Sequence, residues 1–203
     1  MQKGYLDLNR NFPNLINHDG IAHYFGPIIN AEQIDSYFQE LFHKIEWTHE
    51  TVVMFGKEIT TKRKVAFYSE TGISYTYSNR TKIGLPFTPL LSEIKSMVSH
   101  ITKAPYNACL LNLYHDGSES MGWHTDNEKE IITHSSIASL SLGAERKFSF
   151  KHKATQETLS ILLESGSLLE MAGELQDHWL HALPKTKKTL LPRINLTFRF
   201  MSS

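Results

Sequence analysis

The sequence predicts an α+β protein, with amphipathic helices in its first half and a β-sandwich or barrel, such as a jelly roll, in its second. Two segments before residue 103 repeat apolar residues at helical spacing. After Tyr106, short runs rich in β-branched and aromatic residues follow one another, broken by turn residues. The chain has 203 residues, 40% of them hydrophobic and 11% aromatic, enough for one large domain with a buried core and the wrong composition for a disordered chain.

The first helix is expected from Ala31 to about Ile45, where Ile34, Tyr37, Phe38, Leu41, Phe42 and Ile45 make one apolar stripe. Asn30 is placed to cap it, with Gln33 three positions on as in a capping box. The second is expected from about Pro89 to Ile101, with Thr88 as cap, proline at the first helical position, and Leu91, Ile94, Val98 and Ile101 on one face. Pieces around Val52–Phe55, Val65–Phe67 and Ile73–Tyr77 add strands or a hairpin. The later strands are Ala108–Tyr114, Ile137–Leu142, Lys147–Lys151, Thr158–Leu163, Ser167–Met171, Trp179–Leu183 and Ile194–Met201. Turn signals between them include Asp116-Gly117-Ser118, Gly143-Ala144, Ser165-Gly166 and Ala172-Gly173. No repeat or linker interrupts the chain, so 1–203 reads as a single domain. Residues 1–105 form a helical elaboration and residues 106–203 the β core.

Lys+Arg and Asp+Glu are equal at 21 each, so a nucleic-acid partner would need a local basic patch rather than bulk charge. No run approaches the ~20 apolar residues of a membrane span, and no secretory signal opens the chain. With one cysteine, Cys109, an internal disulfide is impossible and a cytoplasmic location is expected.

Three segments can carry chemistry. In His124-Thr125-Asp126 the first and third residues point the same way if extended, giving two-thirds of a facial metal triad. A third ligand would come from Asp177-His178-Trp179-Leu180-His181, whose two histidines face opposite sides of a strand; spacing alone does not choose between them. In Arg193-Ile194-Asn195-Leu196-Thr197-Phe198-Arg199-Phe200, polar and apolar residues alternate without a break. The apolar face must be buried, and the polar face either meets water or lines a cavity. Six residues at ~3.3 Å each place the Arg193 and Arg199 Cα atoms ~20 Å apart, so two extended side chains leave a gap that suits a five-carbon dicarboxylate. Asn112 and Tyr114 lie on one face of Ala108–Tyr114 and need partners if buried.

The ordered set Asn112-Leu113-Tyr114, His124-Thr125-Asp126, His181-Ala182-Leu183-Pro184 and Pro192-Arg193-Ile194-Asn195-Leu196-Thr197-Phe198-Arg199 resembles the AlkB family of Fe(II)- and 2-oxoglutarate-dependent dioxygenases, over roughly residues 52–201. The resemblance implies a double-stranded β-helix (jelly-roll) core preceded by helices and a substrate-lid hairpin. It implies that His124, Asp126 and His181, rather than His178, hold Fe(II). Asn112, Tyr114, Arg193, Asn195 and Arg199 would bind 2-oxoglutarate, and O₂ would complete the reaction, which oxidises an N-methyl group until it leaves as formaldehyde. Met54-Phe55-Gly56-Lys57, Arg63-Lys64, Ser74-Tyr75-Thr76-Tyr77-Ser78 and Ile137-Ala138-Ser139-Leu140-Ser141-Leu142-Gly143 are similar to the duplex-DNA repair branch. By that likeness Phe55 is a finger filling the gap of a flipped base, Tyr75 and Tyr77 are lid residues, and Arg63 sits among phosphate-contacting Lys57, Lys62, Lys64, Arg80 and Lys82. Arg146, Lys147, Lys151 and Lys153 form a second basic cluster. Glu128 would accept a hydrogen bond from the base's exocyclic amine. Asn127 departs from a second acid that the family often places after the ligand aspartate. The partner expected is alkylated DNA bearing N1-methyladenine or N3-methylcytosine, met by a monomer without a membrane. The rival readings are the same oxidation on RNA or protein, and a non-enzymatic β-sandwich that merely binds a ligand.

Overall fold

Strand alternation decides the layering. The computed structural model describes residues 12–54, 57–77 and 80–202. Its first part holds β1 (Ile21–Pro27), α1 (Ala31–Lys44), β2 (Thr48–Met54), β3 (Lys57–Ser69), β4 (Ser74–Tyr77), β5 (Arg80–Ile83) and α2 (Pro89–Thr102). Then follow β6 (Ala108–Tyr114), β7 (Met121–His124), β8 (Ile137–Gly143), β9 (Arg146–His152) and β10 (Thr158–Leu163). The chain closes with β11 (Ser167–Ala172), α3 (Leu175–His178), β12 (Trp179–Leu183) and β13 (Arg193–Arg199).

Seven strands form one sheet in the order β1-β11-β8-β13-β6-β3-β2, and four form a second in the order β10-β9-β12-β7. Every pairing in both is antiparallel. Their facing sides share one apolar cluster, which joins Tyr114, Ile137 and Leu169 of the larger sheet to Phe150, Leu163 and Leu183 of the smaller. Two facing antiparallel sheets with these crossings make the jelly roll the strand pattern calls for.

Both helices start where their caps require. The Asn30 side chain accepts the Gln33 N–H at 2.9 Å, and Thr88 Oγ1 accepts the Leu91 N–H at 3.2 Å. Each buries its stripe on the outer side of the seven-stranded sheet, where Leu41, Leu91, Ile94 and Val98 join Leu111, Leu140, Leu196 and Phe198. Gly143 lets α1 approach: at φ +86° an added Cβ would stand 2.5 Å from the Pro192 carbonyl oxygen and 2.7 Å from the Phe38 ring.

Strand β13 lies at the centre of the larger sheet, with Asn195 opposite Asn112 of β6 on one side and Ser141 of β8 on the other. Its odd residues must therefore face the second sheet, since Ile194, Leu196 and Phe198 already face the helices.

Three expectations change. The piece around Val65–Phe67 belongs to a 13-residue strand, β3. Strands β1, β2 and β3 all join the larger sheet, so the boundary read at residue 106 divides the chain but not the β structure. The last strand ends at Arg199, and Met201 makes only an isolated bridge to Ile131. Strands β1 and β7 carried too few β-branched residues to stand out; each is fixed by distant partners, Ile21 opposite Ala172 and His124 opposite His181.

Leu196 is fully buried between β13 and the helices. Replacing it by alanine is expected to cost about 2–5 kcal/mol, read as a lower urea midpoint at unchanged slope.

Candidate active site

His124 is the last residue of β7, and Asp126 follows two positions later with its backbone N–H held by Gln176 Oε1 at 2.9 Å. His181 lies directly across from His124 on β12. The three side chains converge: His124 Nε2 and His181 Nε2 stand 3.6 and 3.7 Å from Asp126 Oδ1, and one ligand atom from each residue falls within 4.8 Å of the others. His178 takes no part. It ends α3, with its Nε2 3.7 Å from Glu174, so strand parity never applied to it.

The protonation states suit a metal. His124 Nδ1 is 2.8 Å from the Gly122 carbonyl oxygen, which can only accept, so the proton sits on Nδ1 and the Nε2 lone pair faces the cluster. Burial, aided by the neighbouring His181, pushes His124 down to about 4. Burial alone would raise the Asp126 carboxyl, but the Arg199 guanidinium and the two histidines outweigh it and hold it well below the usual carboxylate range. Two imidazoles beside an ionised carboxylate are the donor set of a facial two-histidine, one-carboxylate site, and divalent iron fits it.

The polar face of β13 lines the same cavity, and none of Arg193, Asn195, Thr197 or Arg199 is more than 8% exposed. The two arginines differ. Arg199 Nη2 is 2.8 Å from Asp126 Oδ2, and its Nη1 is 3.8 Å from Glu128. Arg193 donates to Ser141 Oγ at 2.9 Å and to Asn195 Oδ1 at 2.7 Å, under the Tyr114 ring at 5.5 Å. Among the described residues it has no carboxylate within ion-pair distance, and burial pushes it down to about 10. A buried guanidinium without a carboxylate is costly unless a ligand brings one. The two ends of the expected clasp therefore differ: Arg199 holds Asp126 through Nη2, while Arg193 has neutral oxygen partners among the described residues.

Arg63 also departs from expectation. It is 5% exposed, donates to Asn112 Oδ1 and Glu50 Oε2, and lines the cavity, so it is not among the surface cations. Arg146 is buried too, donating to the carbonyls of Asp116, Glu119 and Pro184. Lys151 lies over the Trp123 ring at 5.3 Å, and Lys153 caps α3 through the Gln176 and Asp177 carbonyls. Phe55 lies outside the described residues. Tyr75 and Tyr77 stand opposite Lys82 and Arg80 in the β4–β5 hairpin, and their side chains are likewise outside the description.

Sequence reasoning missed Glu50, Gln176 and the serines Ser139 and Ser141. The serines did leave a signal, alternating with Ala138, Leu140 and Leu142 along β8. The cavity then balances: Glu50, Asp126 and Glu128 against Arg63, Arg193 and Arg199. A divalent cation and a dianion entering together preserve that balance.

The family model of the 2OG-Fe(II) oxygenase superfamily matches residues 21–199. The chain is 37% identical over 195 residues to "DNA oxidative demethylase ALKBH2" of Homo sapiens, covering 91% of this chain and 75% of that protein. It is 34% identical over 181 residues to "Alpha-ketoglutarate-dependent dioxygenase alkB homolog 3" of Bos taurus, covering 84% and 63%. Among solved structures, "The structure of OsALKBH1" superposes with TM-score 0.63 over 92% of this chain and 99% of that one, at 17% identity.

Arg63 and Glu50 form a buried ion pair. Arg63→Met is expected to cost about 3–5 kcal/mol by taking the guanidinium away from the buried Glu50 carboxylate, and adding Glu50→Gln should restore part of the loss in urea unfolding.

Proposed function

Because the chain belongs to the AlkB family within the 2OG-Fe(II) oxygenase superfamily, we propose that it removes methyl groups from N-alkylated bases of DNA by oxidation, with N1-methyladenine and N3-methylcytosine as substrates. The observation that carries the reading is the His124–Asp126–His181 cluster beside a buried Arg193 that has no carboxylate among the described residues. The names of the relatives, DNA oxidative demethylases among them, supply the substrate class.

In this reading His124, Asp126 and His181 hold Fe(II), which when bound couples the use of O₂ to oxidative decarboxylation of 2-oxoglutarate. One oxygen atom goes to succinate, formed with CO₂, and the other enters a methyl C–H bond of the substrate. The resulting hydroxymethyl group leaves the ring nitrogen as formaldehyde and restores the base.

The chain's own residues do the positioning. Arg193 pairs with a carboxylate of 2-oxoglutarate, its guanidinium oriented by Ser141 and Asn195. Asn112 and Tyr114 line the cavity on the same side, and the Asn112 amide is fixed by Arg63. Arg199 keeps Asp126 ionised and aimed at the histidines. Leu110, Phe148 and Met171 give the cavity apolar walls that limit water. Glu128, beside Arg199, accepts from the exocyclic amine of the base.

A base in a duplex must be flipped out to reach this depth, at a cost of a few kcal/mol. Phe55 would fill the vacated gap, and the β4–β5 hairpin bearing Tyr75 and Tyr77 would cover the flipped base. Exposed lysines such as Lys62 and Lys147 would meet phosphates. Among the described residues no helix is long and apolar enough to cross a membrane. The substrate then places the protein with the genome: the nucleus in a eukaryote, the cytoplasm in a cell without one.

The test is formaldehyde release from methylated oligonucleotides supplied with Fe(II) and 2-oxoglutarate. Asp126→Ala should abolish both formaldehyde and succinate formation, as should a chelator, while circular dichroism stays native; turnover of 2-oxoglutarate by that variant would refute the ligand assignment. Phe55→Ala should impair repair of double-stranded substrate more than single-stranded, and equal losses on both would argue against a finger. Release from methylated RNA alone would shift the substrate class.

A further inference from the structure

Arg146 is a buried cation to which the proposed oxidation gives no task. It opens β9 in the smaller sheet, shares strand parity with buried Phe148 and Phe150, and is 2% exposed. Its two terminal nitrogens donate to three backbone carbonyls: Asp116 at 3.3 Å, and Glu119 and Pro184 at 2.8 Å each. The first two lie between β6 and β7, and the third lies just beyond β12. Those two stretches also hold each other. The Gly117 N–H donates to the Thr189 carbonyl at 3.1 Å, and the Thr186 N–H donates to the Gly117 carbonyl at 2.8 Å. A planar fork of donors suits this role, and an ammonium on a flexible stem does not reproduce it.

Tethering alone does not call for a second aromatic contact. The Arg146 guanidinium lies 5.9 Å from the Tyr114 ring centroid, and the Arg193 guanidinium lies 5.5 Å from the same ring. Both distances are within the range at which an aromatic ring attracts a cation. Arg146 comes from the smaller sheet. Arg193 comes from the larger, where it stands directly opposite Tyr114 across β13 and β6. Tyr114 itself is 5% exposed and lines the cavity.

This end of the cavity is therefore rich in positive charge. Arg146 and Arg193 have neutral oxygen partners among the described residues. The acids in the loop that Arg146 ties are engaged elsewhere. Asp116 Oδ1 accepts the Ser118 N–H at 2.7 Å, while Glu119 accepts the His115 N–H at 3.0 Å and meets His115 Nδ1 at 2.9 Å. Each of the two guanidiniums also keeps a buried Nε without a hydrogen-bond partner among the described residues. Burial weighs most on Arg193, and Arg146 adds to it as a like charge. Two like charges around one buried ring are costly until an anion arrives beside them.

We propose that Arg146 is a positioning residue for the diacid: it holds the Tyr114 ring against Arg193 and adds a second buried positive charge at the end of the cavity remote from the metal ligands. The inference rests on the reading of this cavity as a 2-oxoglutarate site. Arg146 is not among the residues lining the cavity, so it acts through Tyr114 and through its field. Its effect is selective. A 2-oxo acid with a second carboxylate feels Arg146, and a 2-oxo acid without one does not.

Calorimetric titration of the Mn²⁺-loaded full chain with 2-oxoglutarate and with 2-oxobutyrate, which lacks the second carboxylate, tests this. Arg146→Gln should weaken 2-oxoglutarate binding about tenfold. Its affinities for 2-oxobutyrate and for Mn²⁺ should match the wild type. Arg146→Lys keeps the charge without the fork and should fall between the two; it carries the same comparison if Arg146→Gln does not fold. In a Tyr114→Leu background Arg146→Gln should cost less, because one of its two routes to the ligand is gone. Equal weakening of both acids would reduce Arg146 to a loop tether and overturn the proposal, as would an unchanged affinity for 2-oxoglutarate. Wild-type protein that binds Mn²⁺ but no 2-oxoglutarate would overturn the reading of the cavity, and the role of Arg146 with it.

Discussion

The ion pair between Arg199 and Asp126 is the contact on which the site depends. It joins the centre of the larger sheet to the loop leaving β7 in the smaller, across the inside of the jelly roll. An isolated carboxylate at that depth would be neutralised by burial. Paired, it stays charged, and charge is what lets two imidazoles and one carboxylate act as a ligand set. The pair is affordable only because β13 is held on both edges and by helices behind it, so Arg199 reaches Asp126 from a fixed strand.

Three arginines line one cavity and do three different jobs. Arg63 neutralises Glu50 and orients Asn112; Arg199 neutralises Asp126; Arg193 is tethered only by neutral oxygens among the described residues. That asymmetry gives direction to the cavity. In the proposed reading a diacid would pair with Arg193 at one end and meet the metal held by the histidine–aspartate cluster at the other. The large share of buried polar groups here is a poor way to gain stability, and it makes sense as preorganisation of a site.

Much of this was legible in the chain, for reasons that differ by element. The helices were readable because their caps, Asn30 and Thr88, stand at the head of clean apolar stripes. Strand β13 was readable because its alternation is unbroken, although alternation could not say whether the polar face met water or a cavity. The choice between His178 and His181 was closed to periodicity because His178 belongs to a short helix, α3, and His181 to the strand that follows it. Arg63 was misplaced among the surface lysines even though it shares parity with buried Val65 and Phe67 along β3, which was the available clue. Arg146 gave no clue, since its partners are backbone carbonyls from separated loops.

The central claim is that one cavity holds Fe(II) on His124, Asp126 and His181 and a diacid on Arg193. Anaerobic titration of the protein with Fe(II) and 2-oxoglutarate, followed by the visible charge-transfer absorbance of the iron chelate, reads both at once. The account predicts saturation at one equivalent of each, no absorbance from Asp126→Ala, and a much weaker 2-oxoglutarate dependence in Arg193→Gln. Undiminished absorbance from Asp126→Ala, with the same affinity for the diacid, would contradict it.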